Sequence, residues 1–241
     1  MYPRLYSQAI DPKDWLRNYL ATYIERDVRQ ILNIGDMVAF ERFITLAAAR
    51  TGNLLNYSDI GRDAQITHHT AKAWFSILQT SFVVHFLEPY YKNFGKRVIK
   101  SPKFFFYDTG LLCALLSINS VQELMHNPLR GAIFETFILS EIMKYYFNRG
   151  LKPPVYFWRD VQGHEVDCVI EKSFGNILPI EIKSTMTLTS SLFDSMSTWS
   201  DIANYQGIMN LVYAGDEQQM RTSVHIYPWF DVEKMMQAIL L

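Results

Sequence analysis

Two short apolar runs, residues 166–170 and 177–182, constrain this chain more than any other stretch, because each is interrupted by charge. Runs this short and this apolar predict strands buried on both faces of a sheet. Yet the first carries Asp167, and the second carries Glu181 with Lys183 just beyond it. Lys172-Ser173-Phe174-Gly175-Asn176 joins them as a hairpin connection centred near Phe174, which places Asp167 and Glu181 equally far from the turn and so opposite each other. Side chains alternate across a strand, so Asp167 shares a face with Val169 and Glu171, and Glu181 shares one with Lys183. Charge inside such strands is costly unless it is paired or metal-bound. Two hard carboxylate ligands beside one amine suit a bound Mg²⁺ (or Mn²⁺) and a positioned water. A purely structural ion pair satisfies the same three groups.

The chain has 241 residues, 49% hydrophobic and 15% aromatic, enough to bury a core and to exclude disorder. No apolar run approaches the length of a membrane span, and Met1-Tyr2-Pro3-Arg4 opens no signal-peptide core. The expectation is a soluble, cytoplasmic protein with no membrane partner. Cys113 and Cys168 each sit in an apolar stretch, which predicts buried thiols rather than a disulfide or a metal cluster. The net charge of −1 hides an asymmetry: residues 1–100 hold 13 Lys and Arg against 9 Asp and Glu, while residues 101–241 hold 10 against 15. A basic first half suits phosphate and an acidic second half suits metal, although differences of this size also occur in proteins that touch no nucleic acid.

Residues 1–35 read as a helical linker. Trp15, Leu16, Tyr19, Leu20, Tyr23 and Ile24 form an apolar stripe at helical spacing, entered through Asp11-Pro12, and predict core or interface packing. Residues 36–126 follow a different grammar. An amphipathic helix over 37–49 precedes a short helix opening at Tyr57, a turn at Ala64-Gln65-Ile66, and a longer helix capped by Thr67 with Ala71, Trp74, Phe75 and Leu78 inward. This is a helix-turn-helix pattern. Its outward face carries His68, His69, Lys72, Ser76 and Gln79. Strands over 82–87 and 103–107 then flank a basic connection with Lys92, Lys96, Arg97 and Lys100, which reads as a wing. Nucleic acid, DNA foremost, and another protein are both suitable partners for such a module. Asp108 reads as a helix N-cap. Residues 127–241 supply a long helix to Phe147 that carries Glu135, three strands, a helix near 192–202, two more strands and a final helix, the order of an α/β sandwich.

Helix with Glu135, then Asp167, then Glu181-x-Lys183, in that order, resembles the PD-(D/E)XK nuclease superfamily over roughly the last 115 residues. A longer set of residues carries a more specific resemblance: Pro3-Arg4-Leu5, Tyr23-x-x-Arg26-Asp27-Val28, Phe106-Tyr107-Asp108-x-Gly110-Leu111, Gly131-x-x-Phe134-Glu135, Trp158-Arg159-x-x-x-Gly163-x-Glu165-Val166-Asp167 and Ile180-Glu181-Ile182-Lys183. Together they look like the C-terminal region of a widespread prokaryotic AAA+ ATPase family. What the resemblance implies is a winged helix-turn-helix domain followed by a restriction-endonuclease-like α/β sandwich with a central mixed sheet. It also implies Asp167 and Glu181 as Mg²⁺ or Mn²⁺ ligands, Glu135 as an accessory ligand and Lys183 as the water-positioning cation of a nuclease. His68, His69, Lys72, Lys96, Arg97 and Lys100 are the expected nucleic-acid contacts. An inactive DNA- or protein-binding module of the same family is the other reading, with an ATPase domain or further copies of the chain as partners. No Gly-x-x-x-x-Gly-Lys-Ser/Thr loop occurs in the sequence, since Gly95-Lys96 is followed by Arg97 and preceded at the upstream glycine position by Tyr90, so no nucleotide site is expected in this chain.

Overall fold

In the computed structural model, which describes residues 4–23, 36–91, 99–173, 175–221 and 223–240, short polar side chains fix where the helices of the N-terminal half begin. After α1 (Arg4–Ser7), α2 (Pro12–Thr22) starts with Pro at its first turn and Asp11 accepting from Lys13 N. Asp36 caps α3 (Met37–Ala48), Asn56 caps α4 (Tyr57–Ala64), and Thr67 caps α5 (His68–Thr80) by accepting from Thr70 N at 3.0 Å. Strands β1 (Val84–Leu87) and β2 (Lys103–Phe106) pair as a two-stranded sheet. Asp108 then caps α6 (Thr109–Leu115), as its position suggests, and Ser120 caps α7 (Val121–His126). In each case an oxygen one residue ahead of the helix satisfies an N–H that the helix itself leaves unpaired.

The chain divides into two units, Met1–Phe86 with Phe104–Ile133, and Leu87–Lys103 with Phe134–Leu241. They differ from the expected segments 36–126 and 127–241 in two ways. Leu87–Lys103 belongs to the second unit, its described residues 88–90 and 99 bonding to Phe157 and Arg159, and the chain up to Ile133 to the first. The first unit is centred on Phe40, Phe43, Trp74, Phe75 and Phe104, whose rings meet edge to face at 4.9 to 5.3 Å. The stripe of α2 belongs to this core rather than to a linker: Leu16 and Tyr23 are buried, and Trp15 and Tyr19 stack at 5.2 Å against the same cluster. Ile24 lies outside the described residues. Between α4 and α5 the turn closes through Gln65 in the left-handed region (φ 58°). Gly61 allows the approach, since a Cβ there would stand 3.1 Å from Ile66 O and 3.4 Å from His68 N. The expected outward residues of α5, His68, His69, Lys72, Ser76 and Gln79, are all exposed.

The second unit contains most of α8 (Arg130–Phe147) and a six-stranded mixed sheet among the described residues. β3 (Val155–Arg159), β4 (Glu165–Ser173) and β5 (Asn176–Lys183) run as consecutive antiparallel hairpins. α9 (Asp194–Ala203) then crosses to β6 (Met209–Tyr213), which lies parallel to β5, the connection that parallel pairing requires. β7 (Gln219–Met220) is a two-residue edge strand on β8 (Val224–Pro228), and α10 (Val232–Leu240) ends the described chain. The expected order of helix, three strands, helix, two strands and helix is therefore present, with β7 added. Trp199 of α9 meets Trp158 of β3 edge to face at 6.3 Å and holds the helix on the sheet. Cys168 is buried and Cys113 half-buried, both free thiols, and burial pushes both up in pKa. Among the described residues no helix is long and apolar enough to cross a membrane.

The connection expected as a wing is tied down at both described ends. Phe157 N donates to Glu88 O at 3.1 Å, Tyr90 N donates to Phe157 O at 2.7 Å, and Ile99 N donates to Arg159 O at 3.0 Å. Residues 88–90 and 99 thus satisfy the outer backbone groups of β3, which is the edge of its sheet. Lys92, Lys96 and Arg97 lie outside the described residues; Lys100 is exposed.

Capping makes the first unit testable. Thr67→Ala should lower its stability by about 1 kcal/mol, while His69→Ala on the same exposed helix face should change it by no more than roughly 0.5 kcal/mol. Urea denaturation followed by circular dichroism separates the two; equal losses would mean that Thr67 does not act as the cap.

Candidate metal centre

The two charged strands meet as the hairpin geometry requires. β4 and β5 are paired as far as Cys168 and Ile180, so Asp167 and Glu181 stand one position beyond the last pair, opposite each other. There the ladder opens: Ile182 N donates to Asp167 Oδ2 at 2.8 Å instead of to a backbone carbonyl. The strands stay paired to Ser173 and Asn176, closer to the turn than the expected five-residue loop, with Gly175 at φ 83°.

The opening forms a cleft of about 390 Å³ lined by Gly163, His164, Glu165, Asp167, Glu181, Lys183, Ser195 and Thr198. Lys183 Nζ lies 2.5 Å from Glu181 Oε1 and 3.7 Å from Asp167 Oδ2. Ser195 Oγ donates to the same Glu181 oxygen at 3.2 Å. Glu181 Oε2 is buried and has no hydrogen-bond partner among the described residues, in a residue only 3% exposed. A buried carboxylate oxygen without a donor is costly and fits a cation. Asp167, Glu181 and Lys183 are therefore brought together as expected.

Glu135 joins a second group. Its carboxylate, with those of Glu165 and Asp167, offers oxygens within 4.8 Å of one another, close enough for one ion. An ammonium already stands among them. Lys103 Nζ is 3.0 Å from Glu135 Oε1 and bonded to Glu165 Oε1, with its side chain 4% exposed. Arg159 Nη1 reaches Glu165 Oε2 at 3.0 Å. Burial lowers the Lys103 pKa, but Glu135, Glu165 and Asp167 outweigh it and hold the ammonium charged well above its usual range. Burial, Asp167 and Glu165 push the Glu135 carboxyl up, against the pull of Lys103. Lys183 follows the same logic: burial opposes its charge, and Asp167 and Glu181 more than restore it. A lysine held charged is a hydrogen-bond donor rather than a base at neutral pH.

Several of the residues that line or support the cleft were not singled out by the sequence. Glu165 stands two residues before Asp167 and so shares its strand face. Lys103 is the one charge in the strand Lys-Phe-Phe-Phe, whose residues are all buried, and such a charge demands a partner. His164 comes from the β3–β4 turn. Asp160 shapes that turn by accepting from Gln162 N at 2.9 Å and His164 N at 3.0 Å and pairing with His164 Nδ1 at 2.9 Å. Burial raises the Asp160 pKa, but these hydrogen bonds outweigh it and hold the carboxyl below its usual range. Ser195 is carried by α9, beside the buried Met196 that anchors the helix. His68, His69 and Lys72 are on α5 of the first unit and take no part in the cleft.

Residues 1–122 match the family model described as Domain of unknown function (DUF8612), and residues 130–231 match the one described as Domain of unknown function (DUF4143). The first match spans half of the chain, which therefore belongs to the DUF8612 family. Among curated proteins the chain is similar to Uncharacterized protein Rv2008c of Mycobacterium tuberculosis and Uncharacterized protein Mb2031c of Mycobacterium bovis. Each is 34% identical over 178 residues, 73% of this chain and 39% of the relative. The chain spans about two fifths of the length of these relatives. No solved structure matches it.

Burial, and then the charge of Asp167, pushes the Glu181 carboxyl up to about 7, against Lys183 and Ser195. A carboxyl with a raised folded-state pKa holds its proton more tightly when folded, so its contribution is full below the unfolded value and is lost as pH climbs through the folded one. Stability should accordingly fall between pH 4.5 and about 7, and Glu181→Gln should remove part of that slope. Thermal melts across this window in metal-free buffer measure it; parallel curves for variant and parent would show that Glu181 ionises freely.

Proposed function

We propose that the second unit is a divalent-cation-dependent hydrolase of nucleic-acid phosphodiesters, built on the PD-(D/E)XK plan, and that a winged helix-turn-helix, its helices in the first unit, brings it to nucleic acid, DNA in the first instance. The observation that carries this reading is the convergence of Asp167, Glu181 and Lys183 on one cleft, with Glu181 Oε2 left without a hydrogen-bond donor. A Mg²⁺ or Mn²⁺ ion held by Asp167 and Glu181 would supply Lewis-acid polarisation of a phosphoryl oxygen. Lys183, one third exposed and fixed by both carboxylates, donates to and orients the attacking water. Ser195 keeps the Glu181 carboxylate in its rotamer. His68, His69 and Lys72 lie on the exposed face of α5, where a recognition helix would meet the major groove.

The DUF4143 match is typical of C-terminal regions associated with AAA ATPases. We read the chain as the winged-helix and nuclease-like portion of such a protein, acting in the cytoplasm, with an ATPase domain as its partner. One observation favours the alternative, a catalytically idle binding platform of the same family. Lys103 neutralises Glu135 and Glu165 without any metal.

Incubation with single- and double-stranded DNA and RNA in Mg²⁺ or Mn²⁺, with a chelator control, distinguishes the two. Cleavage should be metal-dependent and fall roughly 10²-fold or more in Asp167→Ala and Lys183→Ala, the scale of losing one preorganised charge-stabilising group. Binding without cleavage on every substrate would leave only the platform. Lys72→Ala should weaken binding across sequences and make the salt slope shallower by about one, the share of a single phosphate interaction.

A further inference from the structure

The acidic cluster beside the cleft contains its own cation, the ammonium of Lys103. Glu135, Glu165 and Asp167 by distance alone could hold an ion, and Asp167 also lines the cleft with Glu181, so Asp167 borders two candidate cation positions, as a shared carboxylate does in a two-metal phosphoryl-transfer site. Lys103 Nζ stands at one of these positions, 3.0 Å from Glu135 Oε1 and bonded to Glu165 Oε1. Its side chain is 4% exposed, and the ring of Phe157 lies 5.6 Å from the ammonium. An ammonium so enclosed and so paired cannot swing into solvent without stranding two half-buried carboxylates. The other position differs: Glu181, equally buried, keeps Oε2 without a donor.

We propose that Lys103 is a resident cation that takes the place of a second metal ion, so that the cleft binds a single divalent ion at Asp167 and Glu181, and Glu135 is a partner of Lys103 rather than a metal ligand. The proposal rests on the hydrolase reading above for the first ion, but not for the role of Lys103. A point charge with three N–H donors satisfies carboxylates at hydrogen-bond distance, whereas Mg²⁺ demands closer, octahedral oxygens and retains water. Lys103 therefore fixes the charge of this cluster at all metal concentrations and acts as a positioning residue through Glu165, the neighbour of Asp167 two residues along β4.

Mn²⁺ binding to the full chain, counted by isothermal titration and electron paramagnetic resonance, tests this. The parent should bind one ion. Glu135→Gln should hold that ion with an affinity changed by no more than about twofold, less than the roughly tenfold or greater loss expected of a ligand or its direct support. Lys103→Met should gain a second ion, and Mn²⁺ should raise its melting temperature by several degrees more than it raises the parent's. Adding Glu165→Gln to Lys103→Met should abolish both gains. Two ions in the parent, or a tenfold loss in Glu135→Gln, would overturn the proposal, and the Glu135 measurement holds even where Lys103→Met does not fold. No ion in the parent, with one gained in Lys103→Met and lost with Glu165→Gln, would sink the hydrolase reading while leaving Lys103 as the resident cation.

Discussion

Charge balance inside the sheet is the constraint on which the second unit depends. Glu135, Glu165, Asp167 and Glu181 face Lys103, Lys183 and Arg159, which leaves one negative charge in excess when all are ionised. Three of the carboxylates have a fixed partner: Lys103 for Glu135, Lys103 and Arg159 for Glu165, and Ile182 N for Asp167. Glu181 has one oxygen on Lys183 and Ser195 and the other, among the described residues, without a hydrogen-bond partner. Removing one partner of a buried ion pair costs about 3–5 kcal/mol, a cost that bears on enclosed Lys103 and far less on Arg159 and Lys183, each about a third exposed. A proton or a metal ion on Glu181 would relieve the cost of its burial and of the neighbouring Asp167 charge, the two causes that raise its carboxyl pKa.

The cleft exists because the strand ladder stops. Up to Cys168 and Ile180 the backbones of β4 and β5 satisfy each other; one residue further the Asp167 side chain takes over the role of acceptor for Ile182 N. That exchange separates the strands without leaving an amide unpaired. α9 then covers the opening from one side, fixed by Met196 and Trp199 in the apolar cluster, which leaves Ser195 and Thr198 to line the cleft. Functional polarity and structural burial thus alternate along a single helix turn.

The basic connection after the helix-turn-helix has a structural duty that a free wing lacks. Its described ends, around Pro89 and Ile99, pair with β3, so the exposed edge of the mixed sheet is capped by chain that leaves β1 and returns to β2. Lys103 is the last residue of that return. The same segment that protects the edge therefore delivers the cation to Glu135 and Glu165.

Whatever depends on near neighbours was legible in the residues themselves. Asp108 and Thr67 announced their helices because a cap acts over three residues. Alternation and equal distance from a turn placed Asp167, Glu181 and Lys183 on one opening. The α2 stripe announced burial, but not that it completes the first unit's core, since periodicity names a face and not what covers it. Glu135 shows the same limit more sharply: its place as an accessory metal ligand comes from the family resemblance, and its ion pair with Lys103, 32 residues earlier in the chain, is visible only in the fold. Local hydrogen bonding and side-chain periodicity are properties of sequence, and they determined the elements, the hairpin and the carboxylate pair. Which charge pairs with which is a matter of distances closed only by long-range packing, so tertiary structure alone decided that the ammonium of Lys103 stands between Glu135 and Glu165.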